Sequence, residues 1–262
     1  MLQQNRLKQR IANGEASYGL LCSLPLPLMV EMIGYAGYDF VILDQEHVGV
    51  NPETLENMIR AAECAGITPL VRVGGIQPDA ILRALDSGAQ GIVVPHVRSQ
   101  SEAEQIVSAA RYHPLGNRGI SGGRTTGFGT LTLAEYFERA NREIMVVVMI
   151  EDKEGVEQLE SILSVPGIDL VLEGAVDLSQ SYGMPGQMQH PEVRLAVEKI
   201  ASTCARQGIA FCAVPRSPEQ MVEWRSQNIS VYLMGDDRGV SFRSLAAHLS
   251  AMKKAPHTDN SP

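Results

Sequence analysis

The chain has 262 residues, of which 44% are hydrophobic and 20% are charged, and this composition excludes disorder, collagen and coiled coil. A net charge of −8 argues against nucleic-acid binding, since the phosphate backbone favours a basic surface. No apolar run reaches the roughly 18 residues of a membrane helix, and the polar N-terminus lacks the apolar core of a signal peptide. We therefore expect a cytoplasmic protein without membrane contact.

Short apolar runs recur along the chain, each followed by a turn and an amphipathic stretch. The runs are rich in Val, Ile and Leu without strict alternation, which is typical of strands buried on both faces. They are Tyr18–Leu24, Tyr38–Leu43, Thr68–Val73, Gly91–Pro95, Ile144–Ile150, Ile168–Leu172, Ile209–Val214 and Ser230–Met234. This repeat predicts an α/β protein, a (β/α)8 TIM barrel.

The barrel is predicted to occupy residues 1–252 as a single domain, and residues 253–262 to form a flexible C-terminal tail. A doubly wound open sheet is the alternative, but the first run ends in Cys22-Ser23-Leu24-Pro25 and not in a glycine-rich phosphate loop. Helices are expected at Leu28–Gly37, Pro78–Ser87, Glu154–Leu163, Pro191–Gln207 and Gly239–Met252, and after Asn51, Ser99 and Ser217. The glycine- and arginine-rich segment between Tyr112 and Asn141 is predicted to be a lid or a binding loop.

Charged or titratable side chains follow nearly every apolar run. In a barrel, the C-terminal ends of the strands and the loops after them form the active site. The residues at these positions are Asp44, Glu46, His47, Arg72, His96, Glu151, Asp152, Glu173, Asp177, Arg216, Asp236 and Asp237. We expect them to converge on one opening of the barrel.

Two carboxylates, Glu151 and Asp177, follow adjacent predicted strands. Hard carboxylate oxygens, with water and substrate oxygens completing the shell, suit Mg²⁺ or Mn²⁺. The alternative is that each carboxylate only caps the helix that follows it.

Three further residues indicate acid/base chemistry and anion binding. His47 lies three residues after Asp44, and an imidazole oriented by a carboxylate is a general acid/base pattern, although a surface histidine is the alternative. Arg72 is embedded in an apolar run, where a charge is costly unless it is paired or binds an anion. Pairing with Asp44 or Glu46 is therefore the structural alternative for Arg72.

Several longer motifs carry a family resemblance. They are Gly37-Tyr38-Asp39-Phe40 with Asp44-Gln45-Glu46-His47, Pro69-Leu70-Val71-Arg72-Val73, Gly88-Ala89-Gln90-Gly91-Ile92, Arg111-Tyr112 with Pro114-Leu115-Gly116-Asn117-Arg118-Gly119, Ile150-Glu151, and Asp177-Leu178-Ser179 with His190-Pro191-Glu192. Together they resemble the HpcH/HpaI aldolase family, the metal-dependent class II pyruvate aldolases, from about Leu7 to Leu249.

The resemblance implies a (β/α)8 barrel whose C-terminal helix is exchanged between subunits, in homo-oligomers that are dimers or hexamers. It also implies a divalent metal, Mg²⁺ before Mn²⁺ or Co²⁺, with Glu151 and Asp177 as ligands. His47, oriented by Asp44, would be the acid/base group, and Arg72 would polarise the substrate carbonyl. Backbone amides at Val176 and Asp177 would bind the substrate carboxylate.

Three segments resemble one branch of this family, the citrate synthases of staphyloferrin B-type siderophore biosynthesis. They are Cys22–Pro25, Glu173–Gly183, where the family usually has Gly-Pro before Asp-Leu-Ser, and Phe211–Arg216. This branch condenses oxaloacetate with acetyl-CoA to give citrate. Arg124 and Arg216 are then candidates for the second carboxylate of oxaloacetate, and the glycine-rich loop at Gly122 is a candidate for admitting the thioester arm.

Two other functions stay open. One is a class II aldolase that joins a pyruvate enolate to an aldehyde, and the other is a keto-acid-binding protein without turnover.

Overall fold

The computed structural model describes residues 2–254, and within them eight parallel strands close a barrel in chain order. The strands are β1 Ser17–Cys22, β2 Phe40–Asp44, β3 Thr68–Arg72, β4 Gly91–Val94, β5 Met145–Ile150, β6 Leu170–Glu173, β7 Ala210–Ala213 and β8 Val231–Asp236. Each strand overlaps one of the apolar runs in the sequence. The predicted (β/α)8 barrel is confirmed.

Twelve helices occur in the described part of the chain. They are α1 Arg6–Ala12, α2 Pro27–Tyr35, α3 Pro52–Ala65, α4 Pro78–Asp86, α5 Gln100–Ala110, α6 Leu133–Glu143, α7 Lys153–Glu157, α8 Leu159–Leu163, α9 Ala175–Ser181, α10 Pro191–Gln207, α11 Pro218–Ser226 and α12 Asp237–Lys253. The single helix predicted at Glu154–Leu163 is divided into α7 and α8. None of them is both long enough and apolar enough to span a membrane.

The barrel interior is filled with apolar side chains. Phe40, Ile42, Leu70, Val93, Met145, Val147, Leu170 and Val231 form one buried cluster there. Gly19 makes room for the ring of Phe40, because a β-carbon at position 19 would overlap that ring. Leu7 of α1 is fully buried and joins the cluster from the N-terminal end. The interior is therefore closed at that end, and a site can form only at the C-terminal ends of the strands.

Buried polar groups hold the N-terminal end of the barrel together. Asn5 donates through Nδ2 to the carbonyls of Gln90 and Glu143, each at 3.0 Å, and through its amide to Glu143 Oε2 at 2.9 Å. Arg111 donates to the Ile144 carbonyl at 2.7 Å and to Asp169 Oδ2 at 2.7 Å. Asn5, Gln90 and Ile144 lie directly before α1, β4 and β5, so the contacts fix the N-terminal rim of the barrel.

Helix α12 is attached to the barrel mainly by its first residue. The carboxylate of Asp237 accepts hydrogen bonds from the amides of Ser23 at 2.9 Å and Leu24 at 3.0 Å. Beyond it the helix exposes a row of large apolar side chains, Phe242, Leu245, Leu249 and Met252. The predicted tail begins at Lys253, the last residue of α12, and from residue 255 onward it lies outside the described residues.

Candidate active site

A cavity of about 240 Å³ opens at the C-terminal end of the barrel. Its apolar floor comes from the inward side chains of the strands, including Leu21, Ile42, Met149, Leu172 and Leu233. Its charged wall consists of Arg72, Glu151, Glu173, Asp177, Arg216 and Asp236. Six of the charged strand-end residues seen in the sequence therefore meet in one cavity.

Arg72 lies at the end of β3 and is held by two carboxylates. Its Nε is 3.0 Å from Asp44 Oδ1, its Nη2 is 2.9 Å from Asp44 Oδ2, and its Nη1 is 3.1 Å from Glu46 Oε2. Burial alone would raise the pKa of Asp44, but the hydrogen bond and charge of Arg72 outweigh it and lower this pKa. Three of the five guanidinium N–H groups are engaged, which leaves two for the cavity.

His47 stands apart from this pair. Its side chain is 60% exposed at the rim, and its Nε2 is 3.8 Å from Glu46 Oε2. Asp44 contacts His47 only through the backbone amide, at 3.4 Å. The sequence prediction that Asp44 orients the imidazole is therefore corrected: the Asp44 carboxylate binds Arg72, and Glu46 is the carboxylate nearest to the imidazole.

Glu151 ends β5 in a buried position between acidic neighbours. Its Oε1 accepts a hydrogen bond at 2.9 Å from the amide of His96, whose left-handed backbone (φ 56°) aims that amide inward. Burial raises the pKa of Glu151 to about 7; the His96 amide and ring oppose the rise, and the charges of Asp177 and Glu46 add to it. Burial would lower the pKa of His96, yet the charges of Glu151, Asp152 and Glu46 raise it. The group is therefore a cluster of carboxylates with one histidine.

Gly174 brings the start of α9 against Glu151. A β-carbon at position 174 would overlap the Glu151 carboxylate, so this close approach requires glycine. Asp177 lies in the first turn of α9, and Val176 precedes it with a half-exposed side chain. The first backbone amides of α9 and the two carboxylates therefore share one wall.

The donor set of this wall fits a hard divalent cation. Glu151 is buried, and no lysine or arginine among residues 2–254 pairs with its carboxylate. The negative charge of Asp177 makes its ionisation harder still, and a cation between the two would relieve this repulsion. The described residues include no group of three or more His, Cys, Asp or Glu side chains placed to hold a metal. A cation here would therefore take its remaining ligands from water and substrate oxygens.

Arg216 enters the cavity from the segment after β7. Its Nη1 lies 2.6 Å from Glu173 Oε1 and 3.0 Å from the Val214 carbonyl. Arg216 is thus the second arginine in the cavity wall.

Arg124 and Gly122 lie elsewhere. Arg124 Nη1 is 3.1 Å from Glu63 Oε1, near the end of α3 and just before β3, which places it at the N-terminal end of the barrel. Gly122 is exposed two residues earlier in the same segment. The prediction that these two residues line the substrate site is therefore corrected: Arg124 pairs with Glu63, away from the cavity.

A family model described as HpcH/HpaI aldolase/citrate lyase matches residues 18–238. The chain belongs to the HpcH/HpaI aldolase/citrate lyase family.

Several HpcH/HpaI relatives have named activities. A 5-keto-4-deoxy-D-glucarate aldolase of Shigella sonnei (strain Ss046) is 33% identical over 250 residues, covering 94% of this chain and 95% of the relative. A hydroxypyruvate/pyruvate aldolase of Sagittula stellata (strain ATCC 700073 / DSM 11524 / E-37) is 38% identical over 197 residues, 75% of this chain and 77% of the relative. The solved citrate synthase SbnG is 44% identical, with a TM-score of 0.88 over 94% of this chain and 97% of that chain.

Three residues of this HpcH/HpaI site have more contacts than their sequence signals predict. Glu46 contacts Arg72 and approaches both His47 and His96, yet it reads as one more polar residue after a strand. His96 contacts Asp152 at 3.0 Å and holds Glu151 through its backbone. Glu173, predicted as a strand-end residue without a role of its own, is the partner of Arg216.

Proposed function

We propose that this enzyme condenses oxaloacetate with acetyl-CoA to give citrate and CoA. The observation that carries the proposal is the identity of 44% to a citrate synthase over 94% of the chain, against 33% and 38% to the two aldolases. Glu173 and Arg216 belong to two of the segments that resemble the citrate synthase branch, and both lie in the cavity wall, where a change of substrate would act. The citrate would feed siderophore assembly, a prediction that rests on the resemblance alone. A cytoplasmic location stays a prediction from the sequence pattern.

Each substrate group has a candidate partner in the cavity. A divalent cation, Mg²⁺ before Mn²⁺ or Co²⁺, would be held by Glu151 and Asp177 and would polarise the keto group of oxaloacetate. The amides at Val176 and Asp177 are the candidates for the carboxylate next to that keto group. The two N–H groups that Arg72 keeps free would stabilise the negative charge that develops on the keto oxygen.

The reaction needs a base for formation of the carbon–carbon bond and water for hydrolysis of the thioester. His47 at the rim would take a proton from the acetyl methyl group, and the resulting enolate carbon would attack the keto carbon of oxaloacetate. The keto oxygen becomes an alkoxide beside Arg72 and is then protonated. Water cleaves the thioester of the citryl-CoA product and releases citrate and CoA thiol.

The second candidate is an aldolase that joins a pyruvate enolate to an aldehyde, as the names of the two curated relatives favour. The same residues would serve it, with the keto acid as nucleophile and not as electrophile. The two reactions differ in whether CoA thiol is released.

The first test is thiol release from acetyl-CoA with and without oxaloacetate, in Mg²⁺ and after EDTA. We expect oxaloacetate-dependent release with citrate as product, and its loss in EDTA. His47→Gln should lower the rate about a hundredfold, whereas His113→Gln, a matched change of an exposed histidine on the segment after α5, should not. Release without oxaloacetate, or none with it, contradicts the proposal, and turnover of pyruvate with an aldehyde would support the aldolase.

The exchanged helix and the dimer or hexamer remain predictions for this chain. The exposed apolar row of α12, Phe242, Leu245, Leu249 and Met252, supports them, since a helix with so little contact to its own barrel gains burial against a second subunit.

A further inference from the structure

Glu173 makes a buried ion pair across the ends of two strands. It is the last residue of β6, is 4% exposed, and accepts a hydrogen bond from the Val214 amide at 2.8 Å as well as the 2.6 Å contact from Arg216. The Val214 carbonyl accepts from the same Arg216 nitrogen. Two acceptors, Glu173 Oε1 and the Val214 carbonyl, therefore hold Nη1 of Arg216, and the Val214 amide holds Glu173 in turn.

A buried ion pair is weak evidence for a stabilising role, because desolvation offsets much of the attraction. An apolar residue would fill the end of β6 at lower cost. A carboxylate at that place makes physical sense if the position of the arginine matters.

The remaining donors of Arg216 are free for a ligand. No residue in the described part of the chain accepts a hydrogen bond from its Nε or Nη2, and its side chain is 27% exposed. It lines the same cavity as Arg72 and Glu151. In the ring of eight strands, β7 is four places from β3, so Arg216 and Arg72 stand on opposite sides of the opening.

We propose that Glu173 is a positioning residue that holds Arg216 to bind the second carboxylate of a dicarboxylic keto acid, and so selects oxaloacetate over pyruvate. This inference rests on the proposed function, which supplies oxaloacetate as substrate. An anion on Arg216 has two sources, the keto acid or a phosphate of CoA. Arg216 favours the keto acid, because it shares the cavity wall with Glu151 and Asp177 and its partner Glu173 is buried.

Calorimetric binding of oxaloacetate and pyruvate, in Mg²⁺, tests the inference apart from turnover. The wild-type protein should bind oxaloacetate at least about tenfold more tightly than pyruvate, as expected for a charge-assisted hydrogen bond. Glu173→Gln keeps the shape and an acceptor for the Val214 amide, and should remove about tenfold of that preference while pyruvate affinity changes less than about twofold. Arg216→Leu should remove it too, and the double variant should be no worse than Arg216→Leu alone, because Glu173 acts through Arg216.

Other outcomes overturn the inference: equal affinity for both keto acids in the wild-type protein, a parallel loss for both in Glu173→Gln, or additive losses in the double variant. If Arg216→Leu raises the KM for acetyl-CoA and leaves the affinity for oxaloacetate unchanged, Arg216 binds CoA and not the keto acid. If Glu173→Gln does not fold, Glu173→Asp and Arg216→Lys carry the same comparison. Absence of thiol release with the preference intact would sink the proposed synthase and leave the dicarboxylate selectivity standing.

Discussion

The two ends of the barrel differ in how their buried polar side chains are hydrogen-bonded. At the N-terminal end, Asn5 and Arg111 direct their hydrogen bonds at backbone carbonyls and fixed carboxylates. At the C-terminal end, Arg72 and Arg216 are each held on one side and keep N–H groups for the cavity. Saturated polar groups stabilise a fold, whereas groups with donors left over can bind a ligand. Substitutions at the two ends should therefore separate stability from turnover.

The largest effect is expected at Arg72, which pairs with Asp44 and Glu46 and is proposed to act on the substrate. Arg72→Ala should lower turnover about a thousandfold, because a donor to the developing oxyanion is lost. It should also lower the free energy of unfolding by about 3–5 kcal/mol, since Asp44 stays buried without a partner. Adding Asp44→Asn should recover most of the stability and none of the turnover, as measured by denaturant unfolding and steady-state rates. An active Arg72→Ala enzyme would show that its role is wrongly assigned.

Glu151 is expected to lower the stability of the fold when its buried carboxylate is ionised. Glu151→Gln should lower turnover about a hundredfold, because one of the two carboxylates proposed to hold the divalent cation is lost. Burial raises the pKa of Glu151 from 4.5 to about 7 in the folded protein, so the stability it contributes is full below the unfolded pKa and is lost as pH rises through the folded pKa. In EDTA at about pH 8, the variant should therefore be more stable than the wild type, by at most about 3 kcal/mol.

That difference should vanish near about pH 3.5, well below the unfolded pKa, where both states of the wild type hold the proton. Thermal unfolding at the two pH values measures it. A variant less stable than the wild type at the higher pH would mean that contacts other than those with His96 stabilise the ionised carboxylate.

The smallest effect on turnover is expected at the N-terminal end. Asn5→Ala removes its hydrogen bonds to the Gln90 and Glu143 carbonyls and should lower the free energy of unfolding by about 2 kcal/mol. Turnover per folded molecule should stay within about twofold of the wild type. A large fall in turnover would break the division between the two ends.

The sequence predicted what depends on local pattern. All eight strands follow from apolar runs, because strands buried on both faces need no distant information to be recognised. Helix α6 was missed inside the segment read as a loop, although Thr132 and Glu135 form a capping box that the sequence displays. Helix α1 was missed as well, although Asn5 caps it by accepting a hydrogen bond from the Lys8 amide.

The site was predicted as a set of residues and only in part as a set of partners. Pairing of Arg72 with Asp44 or Glu46 was named as the structural alternative, and both contacts occur. That Arg124 meets Glu63 at the other end of the barrel depends on a contact between residues 61 positions apart. The sequence pattern predicts which side chains lie at strand ends, whereas the partner of each side chain depends on how the elements pack in the folded protein.

Leu7 and Phe40 belong to the apolar cluster that closes the barrel interior, so the cavity is open only at the C-terminal end of the barrel. When two ligands share one opening, the ligand that binds deeper has to bind first and leave last. Under the proposed function, oxaloacetate would bind first against the inner wall, and acetyl-CoA would bind after it and cover it. The closed floor of the barrel would thus set the order of binding and release as well as the shape of the site.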